Sequence, residues 1–306
     1  MKKLLFPALA AGILLLSGCQ ATELGERAII QAAAVDYRNG EYTVSALMFS
    51  SGGSSQDGID ASGENVINVT GRGKTFAQAV EDISLTDGKE IYMSENKLLI
   101  IGGGFEDADF TPVLETLSRD MRCSLNMLVC CSDDPELLTD LHFTEGITSA
   151  EKPVSMIENS YHAGASPRTY LLDLLNDTAA ERSTLLPLFE KTLNGYGVTS
   201  DDDGATAVIT GSRVYYCGSL YEQLDSDQTV GEMLLSGLTD RALLSFKHGG
   251  SEESCEAYGV RVKRLENGDI RLSAKFRRKN GEPLPEELKK SALSELERLI
   301  RAADGI

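Results

Sequence analysis

The class this sequence predicts is α+β and multi-domain, with mixed sheets each packed with helices and a C-terminal hairpin plus helix. Three observations lead there. Short apolar runs of strand length alternate with helix starts up to about residue 190. The run Leu98-Leu99-Ile100-Ile101 is unbroken, as in a central strand buried on both faces. Near the C-terminus Tyr258, Val260 and Val262 alternate with polar residues, as do Ile270, Leu272, Ala274 and Phe276. Asn267-Gly268 lies between them, a pair suited to a hairpin turn. The 306 residues allow about two or three domains.

The chain opens MKKLLFPALAAGILLLSGCQ. Lys2 and Lys3 form a positive n-region, and Leu4 to Leu16 an apolar h-region. A membrane-spanning helix needs roughly 20 apolar residues, so this run is too short. Leu16-Ser17-Gly18-Cys19 resembles the bacterial lipobox, in which a diacylglycerol is placed on the cysteine and cleavage leaves that residue first. Residues 1–18 are therefore expected to be a lipoprotein signal peptide and Cys19 the lipid attachment point. Each buried acyl CH₂ adds about 0.8 kcal/mol of membrane affinity, so two or three chains hold the protein to a bilayer.

Ala28 to Val35 and Gly40 to Phe49 read as two strands joined at Arg38-Asn39-Gly40. Ser50 to Gly63 is rich in Ser, Gly and Asp and reads as a loop. A strand from Asn65 to Thr70 leads into Gly71-Arg72-Gly73-Lys74-Thr75. That stretch is no phosphate loop, because Asn68 stands where the motif needs its first Gly. Thr75 and Gln78 instead form a capping box for a short helix with Phe76, Val80 and Ile83 on one face. Ile91 to Ile101 contains the run Leu98 to Ile101, read as a central strand that Gly102-Gly103-Gly104 ends. Thr111 caps a helix with Pro112 at its first position and Leu114, Leu117 and Met121 as its inner stripe. The strand Leu125 to Cys131 follows. Asp134-Pro135 and Ser166-Pro167 start two more helices, the second with Tyr170, Leu171, Leu174 and Leu175 as its apolar face. Asn194 to Gly204 reads as a hinge, Ala205 to Thr210 and Arg213 to Cys217 as strands. Pro285 starts the last helix, with Leu288, Ala292, Leu296 and Leu299 at spacings of three and four.

The chain carries 29 Lys and Arg against 47 Asp and Glu, a net charge of −18, and loss of Lys2 and Lys3 with the signal makes it −20. Such a surface is expected to repel nucleic acid and anionic lipid headgroups. With Cys19 acylated, Cys123, Cys130, Cys131, Cys217 and Cys255 remain. An odd count argues against a complete disulfide framework, and no spacing is C-x-x-C. His142, His162 and His248 stand in no metal or nucleophile motif, and there is no G-x-S-x-G. Asp201-Asp202-Asp203-Gly204 lacks the alternating ligands and distal Glu of a calcium loop. A binding or structural protein is expected, with no catalytic residues, no metal set and no cofactor.

The ordered segments resemble the Ger(x)C lipoproteins, the C subunits of nutrient germinant receptors in endospore-forming bacteria. The likeness begins at the lipobox and Ala33-Ala34-Val35-Asp36, and continues through Gly71-Arg72-Gly73-Lys74-Thr75-Phe76-Ala77-Gln78-Ala79. It includes Lys89 to Gly102, Arg119-Asp120, Gly211-Ser212-Arg213-Val214-Tyr215, Gly218-Ser219-Leu220 and Thr229 to Leu235. The chain departs from the family at Gln20-Ala21, where Trp-Asp is usual, and at Asn96, where His is common. The resemblance implies a domain at 19–190, a middle domain at 191–248 and a shortened C-terminal domain at 249–306. In that last domain the helix from Pro285 to Ala302 is expected to cover one face of a small sheet and leave an edge strand open. The implied function is that of a non-enzymatic receptor subunit supporting assembly or signalling, lipidated at Cys19 on the outer face of the spore inner membrane. The implied partners are an A subunit and a transporter-like B subunit, both membrane proteins, and no nucleic acid. A second reading is a solute-binding lipoprotein of a transporter, which needs two doubly wound lobes around a cleft.

Overall fold

In the computed structural model the described residues are 27–49, 66–119, 123–135, 150–192, 198–199, 206–265 and 269–303. The signal peptide, Cys19, the loop Ser50 to Gly63, most of the hinge at Asn194 to Gly204 and the Asn267-Gly268 turn lie outside them, as does the helix body expected after Asp134-Pro135.

Strands β1 (Arg27–Arg38) and β2 (Glu41–Phe49) form the expected hairpin. Both turn residues take positive φ, 55° at Asn39 and 79° at Gly40, the turn whose twist matches its strands. β3 (Val66–Gly73) pairs antiparallel with β2. Helix α1 (Phe76–Asp87) starts where Thr75 accepts from the Gln78 amide. The Gln78 side chain reaches back to the Lys74 amide at 3.1 Å. β4 (Glu90–Tyr92) follows, and after a turn comes β5 (Leu98–Gly102), the expected central strand. Buried Asn96 makes that turn, its side-chain oxygen accepting from the Leu98 amide and its nitrogen facing Met127 Sδ.

A 3₁₀ turn (Gly103–Glu106) and helix α2 (Thr111–Arg119) lead to β6 (Leu128–Ser132). Helix α3 (Glu151–His162) follows. Ser166-Pro167 leads first into a two-residue strand, β7 (Thr169–Tyr170), and helix α4 (Leu171–Ala179) starts later than expected. There the Asp173 carboxylate accepts from the Tyr170 amide at 3.2 Å. β8 (Thr184–Thr192), β9 (Val198–Thr199), β10 (Thr206–Tyr216) and β11 (Ser219–Asp225) complete the sheet. The two strands expected between Ala205 and Cys217 are one, β10, with a register shift between Ile209 and Gly211.

Among the described residues this sheet has eleven strands, with the main order β11-β10-β8-β6-β5-β1-β2-β3. β1, β5, β6 and β8 run parallel at its centre, and β5 and β6 are buried throughout. α1, α2 and α4 pack on one face, while Ile157 of α3 packs on the other. Cys130 and Cys131 point to opposite faces, each joining a different core. The boundary expected at 190/191 falls inside β8, and the sheet continues through β11.

Helix α5 (Ser226–Leu235) then joins the two parts. Its Met233 packs with Leu185 and Leu224 of the large sheet, and its Val230 and Leu234 face the second sheet. That sheet is β12 (Arg241–His248), β13 (Ser251–Arg264) and β14 (Ile270–Arg277), all antiparallel. The sequence reading had only the last two strands. The last helix, α6 (Glu286–Ala303), buries Leu288, Ala292, Leu296, Leu299 and Ile300 against Ala242, Leu244 and Phe246 of β12 and Cys255 and Ala257 of β13. Ile270, Leu272 and Phe276 flank this core half-buried. Gly231 lets α5 and α6 cross closely, since a Cβ there would stand 2.9 Å from that of Ala303. Among the described residues there are not two doubly wound lobes: the second unit is a three-stranded antiparallel sheet with helices.

Candidate functional site

The carboxyl ends of the parallel strands gather the most polar chemistry of the large sheet. β1 ends there with Asp36 and Arg38, β5 with Gly102 to Gly104, and β6 with Asp133. The Asp36 carboxylate accepts from the amides of Tyr37 (3.0 Å) and Gly104 (2.9 Å), and from Arg38 Nε (2.7 Å). The glycines permit this approach: a Cβ at Gly104 would meet Asp36 Oδ1 at 2.6 Å and collide with the Tyr37 carbonyl. Opposite stands Arg213 of β10, whose side chain is 6% exposed. Its guanidinium donates to Glu106 and to Gln223 (3.3 Å) and ion-pairs with Asp133 at 3.0 Å, and Gln223 donates on to Glu190 (3.1 Å). Arg38 donates to the Asp133 carbonyl at 3.1 Å. A cleft of about 530 Å³ opens beside this cluster between Tyr37, Arg38, Gly104, Glu106 and Asp133.

Apart from the buried Arg213 Nε, which has no hydrogen-bond partner among the described residues, these groups pair with one another, and the arrangement works as a clasp. Arg213 ties β10 to the 3₁₀ turn and to the end of β6. Beneath it the Cys131 thiol is pushed up to about 12, chiefly by burial and against the pull of Arg213. Burial also raises Cys130, and raises Cys255 to about 11. All three are neutral thiols near pH 7, packed as small apolar groups. Cys123 is half-buried and Cys217 exposed.

A second cavity, of about 630 Å³, lies where α5 meets the large sheet. Arg168 forms one wall, 4.2 Å from the Tyr161 ring centre and paired with Glu158 at 2.8 Å. Arg182 is held by Asp177 at 2.6 Å. Glu232 also lines the cavity, its carboxyl raised by burial against the pull of Arg264.

Of the histidines, His142 lies outside the described residues. His162 is exposed, 3.9 Å from Glu158 one helical turn away. His248 Nδ1 lies 3.1 Å from Ser291 Oγ, with no carboxylate on its other nitrogen among the described residues. Among the described residues no three His, Cys, Asp or Glu side chains group as a metal site, and no helix is long and apolar enough to cross a membrane. Cys19, the one site residue named from the sequence, lies outside the described residues. The clasp was missed: Arg213, between Ser212 and Val214 in a strand, marks a charge that needs a partner, but nothing in the sequence says which acid meets it.

A family model described as the spore germination protein N-terminal domain matches residues 20–191. Among solved structures, the crystal structure of the GerBC protein aligns over 89% of this chain and 80% of that one, at 15% identity and a TM-score of 0.46. No curated protein matches the chain.

Proposed function

The chain belongs to the Ger(x)C family of spore germination proteins, and from that premise we propose that it is the lipid-anchored, non-enzymatic C subunit of a nutrient germinant receptor. The observation that carries this reading is the family match over residues 20–191, whose first residue is the one after the lipobox cysteine. Cys19 is the acylation point, and the acyl chains hold the chain on the outer face of the spore inner membrane. Its partners are the A subunit and the transporter-like B subunit. Its contribution is assembly or signalling rather than turnover. The pairing of the Asp36, Glu106 and Asp133 carboxylates with Arg38 and Arg213 supports this, because it gives those groups a structural role.

Radiolabelled palmitate tests the anchor. Label should enter the wild-type chain and not Cys19→Ala, which should leave the membrane fraction. Label persisting in Cys19→Ala would sink the lipoprotein reading.

A further inference from the structure

The second sheet has one face under α5 and α6, and its other face carries an array of cations. In antiparallel pairing, directly opposite residues share a face. Lys263 lies opposite Arg271, Arg261 opposite Ser273, Lys275 opposite Tyr258, and Arg277 opposite Glu256. Arg241 of β12 joins them across from Tyr258. The apolar alternates Val262, Leu272 and Phe276 face the helix side. Glu256 offsets the array from within, taking both arms of Arg277 at 2.7 and 2.9 Å, while Asp240 stands 3.6 Å from Arg241 and Glu252 lies opposite Lys247 at the far end of the face. Arg261, Lys263, Arg271 and Lys275 are exposed and make no ion pair among the described residues. Residues 241–279 hold ten Lys and Arg against five Asp and Glu, in a chain of net charge −18.

Like charges directly across a strand pair are destabilising, so Lys263 opposite Arg271 costs stability that the fold itself does not require. We propose that this face docks on an anionic bilayer surface, recognising the phosphates of lipid headgroups. Charge complementarity picks an anionic occupant. The layout picks a surface: the cations are spread over strands spaced about 4.8 Å apart rather than turned around a cavity. Leu243, 47% exposed, stands in the same face as an apolar contact. Chain entry supplies the setting, which rests on the anchored-subunit reading. Arg27 starts β1 at the amino-terminal edge of the parallel strands. Arg241 starts β12 against Gly164, whose amide donates to the Tyr161 carbonyl, and Tyr161 packs on the cluster of Leu185 at the same edge of β8. The eight residues from Cys19 to Arg27 reach at most about 29 Å, which keeps this edge near the membrane.

The test is vesicle co-sedimentation of the chain from residue 20 onward, which retains every described element and cannot be acylated at Cys19. Vesicles of phosphatidylcholine are compared with an equal mixture of phosphatidylcholine and phosphatidylglycerol. Each Lys or Arg at an anionic surface strengthens partitioning roughly fivefold. Binding should therefore be confined to the anionic vesicles and vanish toward 1 M salt, where the Debye length is about 3 Å. Lys263→Glu with Lys275→Glu should weaken it at least about 25-fold. The same double variant should unfold at or above the wild-type temperature, because Glu opposite Arg271 replaces a repulsive pair. Lys263→Arg with Lys275→Arg should bind as wild type. Equal binding to both vesicle types, or unchanged binding by the charge-reversed variant, overturns the proposal. So does absence of vesicle binding, including the case where the charge-reversed variant instead loses a co-purifying acidic protein. None of these outcomes touches the palmitate result for Cys19.

Discussion

Arg213 is the side chain on which three elements of the large sheet converge. Its partners, Glu106 and Asp133, are 48% and 59% exposed, so water screens part of what the pairs contribute. Arg213→Ala leaves both carboxylates without it and removes a buried stem. It should lower unfolding free energy by about 2 kcal/mol, measured by urea denaturation. Arg213→Lys should recover only part, because an ammonium cannot fork between two carboxylates. At Gly104 the constraint is steric: Gly104→Ala forces Asp36 or the Tyr37 carbonyl to move and should cost about 1–3 kcal/mol in the same measurement. Glu256 carries a pH signature. The hydrogen bonds from Arg277, with burial opposing, hold its carboxyl below the ordinary value of 4.5. Its stabilisation is therefore full above that value and is lost as pH falls through the lower folded one. Glu256→Gln should be less stable than wild type near neutrality, and the gap should close in acid. None of these pairings was legible in the sequence. Arg213 and Glu106 stand 107 positions apart, and periodicity says which face a residue takes without saying what meets it there.

Elements with one strong local signal were legible. The Asn39-Gly40 turn, the Thr75 cap, the unbroken β5 and the apolar stripe of α6 stand where propensity and period put them. β12 was missed, though Ala242, Leu244 and Phe246 alternate inward, because Leu243 on the outer face blurs the pattern. β4 was not read from the sequence, and between it and β5 a buried Asn side chain, not a Gly or Pro, turns the chain. The link between the two sheets is α5, and α6 closes the smaller core over it. Leu296 is fully buried in that core, so Leu296→Ala should cost about 2–5 kcal/mol. Hydrogen exchange should show the loss in β13 and β14 first, with the amides of β5 and β6 keeping their protection. Simultaneous loss in both sheets would mean that they unfold as one unit.

At the scale of the whole molecule, the net charge of −18 led to the expectation of a surface that repels anionic lipid headgroups. A sum over the chain has no faces. Strand pairing in the second sheet gathers Arg261, Lys263, Arg271 and Lys275 on one side, while the acidic excess lies elsewhere. Family resemblance was legible because it rests on the order of many weak motifs, and the match over residues 20–191 takes in those from Ala33 to Asp120. The central claim is that the chain is a subunit of a membrane receptor. Affinity purification of the tagged, acylated chain from detergent-solubilised spore membranes tests this most directly. Two multi-spanning proteins, an A subunit and a transporter-like B subunit, should co-purify in fixed ratio. Recovery of the chain alone, or with the permease of a solute transporter, would contradict it.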